Sequence, residues 1–310
     1  MSFVKIKIKN QPVLLPELEE FGISLFMKRE DQIHPFISGN KYRKLKYNIL
    51  KAKEQQKKNL LTFGGAFSNH ISAVAFAGKE YGFKTIGIIR GDELGNDLEK
   101  TLQHNITLST ANDHEMQFKF VTRNDYRLKQ TSKFIADLHK EFGDFYLVPE
   151  GGTNELAIKG CEEILKPEDK EFDVICCGIG TGGTISGLIN SAKAHQKVLG
   201  FPALKGDFLQ KEIEQYTIQN KNWSLINDYH FGGFAKTNEE LINFINDFKQ
   251  KTTIPLDPIY TGKMMFGIVD LIKNGYFKKG TKILAIHTGG LQGIQGMNEK
   301  LNRKKSPLIQ

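Results

Sequence analysis

Short, continuously apolar runs alternate with amphipathic helical patterns almost from one end of this 310-residue chain to the other. The expected strands are Leu60–Phe63, Thr85–Ile89, Phe145–Val148, Val174–Cys177 and Lys282–Ile286. The expected helices are Asn69–Tyr81, Asp97–His104, Thr131–Glu141, Glu155–Leu165, Thr184–Ala194, Glu239–Lys251 and Met264–Asn274. A strand that is apolar along its whole length must be covered on both faces, as in a parallel sheet flanked by helices. The pattern predicts an α/β chain of two open, parallel-sheet, three-layer (αβα) domains with a ligand site in the cleft between them. Residues 45–150 form a strand–helix series that ends at Pro149-Glu150-Gly151-Gly152, and they are expected to be the smaller domain. Residues 1–44 and 151–310 are expected to share a second sheet in a larger one.

Composition excludes several classes. With 39% hydrophobic and 25% charged residues, the chain has the balance of an ordinary globular protein. No apolar run approaches the roughly 20 residues of a membrane span. The segment Met1–Lys9 alternates apolar and basic side chains, which predicts an edge strand and not a secretion signal, so the cytoplasm is the expected location. Cys161, Cys176 and Cys177 offer neither a disulfide framework nor zinc spacing, and core cysteines are expected. The net charge of +8 is dispersed, and clusters such as Lys57-Lys58 and Arg303-Lys304-Lys305 lack interleaved aromatics. No nucleic-acid partner, membrane partner or metal is expected.

Three turns carry the chemistry. Gly178-Ile179-Gly180-Thr181-Gly182-Gly183-Thr184 follows an apolar run and opens a helix, so its backbone N–H groups can converge on an anion. The string also satisfies the dinucleotide pattern GxGxxG, which admits a nicotinamide-dependent oxidoreductase as a rival reading. That fingerprint needs an acidic residue about 20 positions on, where this chain reads Val198-Leu199-Gly200-Phe201-Pro202-Ala203. Gly64-Gly65-Ala66-Phe67-Ser68-Asn69-His70 has the same placement. Ser68 or Asn69 is expected to cap the helix, and a hydroxyl, an amide and an imidazole are expected at the ligand-binding edge of a parallel sheet. In Ile286-His287-Thr288-Gly289-Gly290, Thr288 can reach a ring nitrogen. Upstream, Lys41 stands in Gly39-Asn40-Lys41-Tyr42-Arg43-Lys44-Leu45. Lysine is one of few side chains able to form a covalent imine with a carbonyl. A lysine together with a phosphate cradle points to pyridoxal 5′-phosphate.

These pieces, with Lys28-Arg29-Glu30-Asp31 and Asp257-Pro258-Ile259-Tyr260-Thr261-Gly262-Lys263, occur in the order of the fold type II (tryptophan synthase β-like) pyridoxal-phosphate enzymes. The chain most resembles their D-cysteine desulfhydrase and 1-aminocyclopropane-1-carboxylate (ACC) deaminase branch. The resemblance implies that Lys41 carries the covalent link to the cofactor and that Asn69 bonds its 3′-oxygen. It implies a phosphate site at Gly180, Thr181, Gly182, Gly183 and Thr184, to which Lys44 adds a cation, and a ring-nitrogen partner in Thr261 or Thr288. Ser68 and Tyr260 would face the substrate as catalytic groups, with Asn69 and His70 beside them, in a homodimer.

Within that branch, Ser-Asn-His at Ser68-Asn69-His70 and Tyr-Thr at Tyr260-Thr261 resemble the desulfhydrases; the deaminases typically show Ser-Asn-Gln and Tyr-Glu. A carboxylate at the pyridine nitrogen strengthens the ring as an electron sink, whereas a hydroxyl only donates a hydrogen bond. The weaker sink suits loss of a good leaving group such as thiolate. The expected reaction is therefore elimination from D-cysteine to pyruvate, ammonia and hydrogen sulfide, with ACC deamination to 2-oxobutanoate and ammonia as the alternative. The chain departs from the family at Ala66-Phe67, where an aromatic ring replaces a usual polar side chain.

Overall fold

In the computed structural model, which describes residues 7–310 apart from 38, 207 and 218–221, the apolar runs form two sheets. In chain order the strands are β1 (Asn10–Pro12), β2 (Ser24–Lys28), β3 (Asn59–Gly65), β4 (Lys84–Arg90), β5 (Gln117–Val121), β6 (Tyr146–Val148), β7 (Val174–Ile179), β8 (Lys197–Pro202), β9 (Trp223–Leu225) and β10 (Lys282–Ile286). One sheet has the order β1-β2-β10-β7-β8-β9 and the other β5-β4-β3-β6. All their pairings are parallel except the antiparallel edge pair β1–β2. The chain divides into two compact units, Met1–Arg43 with Ile158–Gln310, and Lys44–Ala157.

In the larger unit, the strand period of two sends successive side chains into opposite cores. Ile283 and Ala285 of β10, with Cys176 of β7, pack under the helices Glu239–Thr252 and Thr261–Lys273. Leu284 and Ile286, with Ile175 and Cys177, pack under the helix Gly183–Ser191. All three cysteines are buried and form no disulfide, packing as small apolar side chains. Burial pushes the Cys176 thiol far above its ordinary range, so it stays protonated. In the smaller unit, Leu61, Phe63, Ile86 and Ile88 form one face with Leu138 and Phe134 of the helix Ser132–Phe142.

Three expectations shift. The alternating segment Met1–Lys9 lies largely outside the described residues; Lys7–Lys9 carry no strand, and the edge strand begins at Asn10. The helix from Glu155 ends at Glu162, short of Leu165, ahead of Pro167, whose ring cannot continue it. The helix expected from Met264 begins at Thr261, because a buried carboxylate described below caps it there. Among the described residues no helix is long and apolar enough to cross a membrane, and no cluster of His, Cys, Asp or Glu could hold a metal ion.

Candidate active site

Lys41 is the second residue of the helix Asn40–Glu54 and is half-buried. Gly39 fixes where that helix starts. Its φ is +62°, and a Cβ there would lie 1.9 Å from the carbonyl oxygen of Thr288. Only glycine permits both the left-handed backbone and this approach. The Asn40 backbone N–H donates to the same carbonyl at 3.2 Å, while Asn40 Nδ2 donates to Thr184 Oγ1 at 2.7 Å. The segment Gly39-Asn40-Lys41 therefore bridges the end of β10 and the glycine-rich loop after β7.

The run Lys28-Arg29-Glu30-Asp31 holds this arrangement from below. Glu30 accepts two hydrogen bonds from the Arg43 guanidinium, both at 2.9 Å, in the fork geometry that makes arginine–carboxylate pairs strong. Lys28 pairs with Asp169 at 2.9 Å, both partners buried. Arg29 grips Asp31 through Nε at 2.9 Å and Nη2 at 2.7 Å. Removing one member of such a buried pair strands the other and costs about 3–5 kcal/mol.

The loop after β7 is a cradle for an anion. Gly182 (φ 82°, ψ −28°) caps the helix Gly183–Ser191 without a side-chain cap bond, so among the described residues the first-turn amides have neither an intrahelical acceptor nor a side-chain partner. The ring of Tyr260 lies against the loop: a Cβ on Gly180 would stand 3.0 Å from the Tyr260 hydroxyl oxygen, and one on Gly178 3.2 Å from Tyr260 Cβ. Unpartnered amides, a positive helix end and side-chain-free glycines fit the phosphate of pyridoxal phosphate. The Thr288 hydroxyl has no hydrogen-bond partner among the described residues and suits a ring nitrogen.

Tyr260 is set by a turn built on Asp257. Its carboxylate accepts from the backbone N–H groups of Ile259, Tyr260 and Thr261 at 2.9, 2.9 and 2.8 Å. Thr261 Oγ1 donates to Asp257 Oδ1 at 2.7 Å and accepts from the Asp257 N–H at 2.9 Å. One turn on, the buried Lys263 ammonium donates to the carbonyls of His230 and Gly233, each at 2.8 Å. Burial pushes its pKa down to about 8, with the charge of Asp257 opposing the fall. The loop it ties carries Phe234, whose ring centroid is 6.3 Å from that of Tyr260.

In the smaller unit, Ser68 and Asn69 stand half-buried where β3 gives way to the helix Asn69–Tyr81. Ser68 occupies the N-cap position, yet its side chain makes no capping hydrogen bond. His70 is buried, with Nε2 2.8 Å from Thr62 Oγ1. The one Thr62 hydroxyl hydrogen goes to the Val148 carbonyl at 2.9 Å, so the imidazole is the donor to Thr62. Lys44 Nζ donates to the Gly151 carbonyl at 3.1 Å and to Thr153 Oγ1 at 3.0 Å.

The larger unit thus gathers the Lys41 segment, Gly180–Thr184, Tyr260 and Thr288. One expectation is corrected: the Ser68 hydroxyl does not cap its helix. Hydrogen bonds within each unit bear on three more residues. The Thr261 hydroxyl hydrogen is given to Asp257, which leaves Thr288 as the hydroxyl suited to a ring nitrogen. His70 Nε2 is bonded to Thr62, and Lys44 Nζ donates to Gly151 and Thr153. The residues missed from sequence are Asn40, Asp257 and Lys263. Asp257 was findable, since Asp-Pro followed at i+4 by a threonine at a helix start is a capping signal. Nothing local marks Asn40, whose partner is 144 residues away.

Fold and cradle together define a cofactor enzyme of the α/β class. Residues 4–289 match the family model described as pyridoxal-phosphate dependent enzyme, and the chain belongs to that family. It is 30% identical over 300 residues to a bifunctional D-cysteine desulfhydrase/ACC deaminase of Arabidopsis thaliana, mitochondrial by name, covering 88% of this chain and 74% of that one. It is 29% identical over 330 residues to an ACC deaminase of Rhizobium rhizogenes, covering 95% and 97%. A crystal structure described as an ACC deaminase homologue superposes with a TM-score of 0.80 at 26% identity, covering 97% of this chain and 95% of that one.

Proposed function

We propose that the protein removes the side-chain thiol of D-cysteine or a close analogue, converting amino acid and water into pyruvate, ammonia and hydrogen sulfide. Double anchorage of Asn40 on Thr288 and Thr184 carries this reading, because it fixes the backbone next to Lys41 against the loop suited to phosphate. Pyridoxal phosphate, when bound, supplies an electron sink for negative charge developing at the substrate Cα. Lys41 would tether it, the Gly180–Thr184 amides would hold its phosphate, Asn69 would meet its 3′-oxygen and Thr288 its ring nitrogen. Released from the tether when the substrate amine takes its place, Lys41 Nζ would accept the Cα proton as general base. Ser68, whose hydroxyl makes no capping bond, holds the substrate carboxylate, and Tyr260 stands at the side chain. The departing sulfur leaves with the electron pair of the Cβ–S bond.

The choice of elimination over ring opening is supported by the turn at Asp257. Its carboxylate already accepts three N–H groups and one hydroxyl, so position 261 offers neither a free acid nor a free hydroxyl. The weaker sink that results suits a thiolate leaving group. The reading carries with it a homodimer and a reducing, cytoplasmic compartment, the latter in keeping with three buried cysteines that form no disulfide.

Product release from a panel of D-cysteine, L-cysteine, β-chloro-D-alanine and ACC tests the assignment. Pyruvate from D-cysteine and the chloro compound is expected. 2-Oxobutanoate from ACC as the fastest product would overturn the substrate, and no product from any of the four would overturn the reaction. Borohydride trapping followed by peptide mass spectrometry tests the tether, with the adduct expected on Lys41.

A further inference from the structure

The smaller unit contains a cavity of about 570 Å³ that the proposed reaction leaves without a role, within the usual size of a small-molecule site. Each of its walls follows a strand of the β5-β4-β3-β6 sheet. Ala66 and Phe67 come after β3, Arg90 ends β4, Arg123 and Tyr126 come after β5, and Glu150 comes after β6. The chain runs outward from β3 through β4 to β5, then returns to the other side of β3 with β6. Open parallel sheets bind ligands beyond the carboxyl ends of their strands, at such a reversal of strand order.

Charge defines what fits. Arg90, Arg123, Arg127 and Lys129 face the cavity against only Glu93 and Glu150. Both carboxylates are engaged. Glu93 accepts from Arg123 at 2.5 and 3.2 Å. Glu150 accepts from the Tyr126 hydroxyl at 2.8 Å and pairs with Lys129 at 3.3 Å. Neither Arg90 nor Arg127 forms an ion pair among the described residues. The Arg90 guanidinium lies 5.7 Å over the buried Tyr126 ring, which also carries the Lys129 ammonium at 4.8 Å. Burial, then the neighbouring Glu150, hold the Tyr126 hydroxyl protonated as a donor. Beside these groups the Phe67 ring is 58% exposed and lines the cavity with a large apolar surface.

We propose that this cavity binds a small organic anion, with its carboxylate or phosphate on Arg90 and Arg127 and its apolar part on Phe67. Guanidinium groups match such anions through paired N–H donors. Phe67 immediately precedes Ser68, so an occupant bears directly on the turn that also carries Asn69. That last consequence rests on the proposed reaction; binding itself does not.

Isothermal titration of the cofactor-loaded protein, whose own phosphate site is then filled, provides the test. The probes are inorganic phosphate and phenyl phosphate. Saturable binding of both is expected, with phenyl phosphate tighter and both weakened by added salt. Arg90→Gln with Arg127→Gln is expected to weaken both probes at least tenfold while leaving the visible cofactor absorbance unchanged. Phe67→Ala is expected to abolish the preference for phenyl phosphate. Should the double variant fold poorly, Arg127→Gln alone is expected to weaken phosphate severalfold. Absence of saturable binding below about 10 mM, a free energy near −3 kcal/mol, overturns the proposal. So does unchanged affinity in the arginine variants. The readout is heat and not turnover, so failure here leaves the D-cysteine reading standing, and failure of that reading leaves the cavity standing.

Discussion

Two turns of the same design, strand then glycines then helix, use their side chains in opposite ways. The one after β7 is gripped from outside: the Tyr260 ring lies against Gly180, its Cβ and backbone lie against Gly178, and Asn40 bonds Thr184. Its working surface is backbone. The one after β3 is gripped from within, through His70 on Thr62, and leaves Phe67 exposed with Ser68 and Asn69 half-buried beside it. Its working surface is side chains. A cradle for an invariant group such as a phosphate gains from rigidity and has no need of side-chain identity. A surface that discriminates between small molecules needs identity, and this turn carries the exposed ring of Phe67.

The contrast can be broken by experiment. Lys41→Ala should lower turnover by at least about a thousandfold, more than 4 kcal/mol in barrier, and remove the visible cofactor absorbance. Retention of either would detach the amine from the cradle.

Lys263 tests the outer grip through pH. Its folded pKa of about 8 lies below its ordinary 10.5, so the folded chain carries the full penalty at and below neutral pH, where both states hold the proton. As pH rises from about 8 towards 10.5 the folded lysine loses its proton first, and stability should rise by up to about 3 kcal/mol. Urea unfolding of the parent and of Lys263→Met across that window should show the two curves converging or crossing as pH increases. Parallel curves would show that the buried ammonium carries no such penalty.

Smaller effects separate the two turns themselves. Gly180→Ala places a Cβ against the Tyr260 hydroxyl, and strain of about 1–3 kcal/mol should weaken cofactor binding by roughly ten- to a hundredfold, read by absorbance titration. Ser68→Ala should do the reverse. With no capping bond to lose, thermal stability should change by less than about 0.5 kcal/mol, while KM for D-cysteine rises about tenfold. A large stability loss from Ser68→Ala would mean that the second turn, too, is mainly scaffold.

Sequence made four interior strands plain because burial on both faces leaves no polar alternation: β3, β4, β7 and β10 each contain an expected run. It did not disclose β5, whose Gln117-Phe118-Lys119-Phe120-Val121 alternates at a sheet edge, the short edge strands β1 and β9, or the interior strands β2 and β8, the latter broken by Gly200 and ended by Pro202. The helix Asn40–Glu54 escaped notice for a different reason. Arg43 and Lys44 occupy buried positions of its inner face, so charge masks the apolar stripe that would have marked it. At the site, the glycine turns were legible because their shape is local. The partners were not, since Asn40 and Thr184, or Lys44 and Thr153, meet only once the sheets have assembled. Even the nearby pair Thr261 and Asp257 reads as a hydroxyl open to a ligand until the geometry shows where its hydrogen goes.

Gly39 makes one further difference, to anyone seeking to alter what this enzyme accepts. Libraries that vary position 39 should yield inactive clones almost uniformly, although that residue touches no reactant, because any substituent there collides with the Thr288 carbonyl and levers the lysine away. Position 67 should behave in the opposite manner and tolerate many replacements, which makes it the productive place to redirect selectivity.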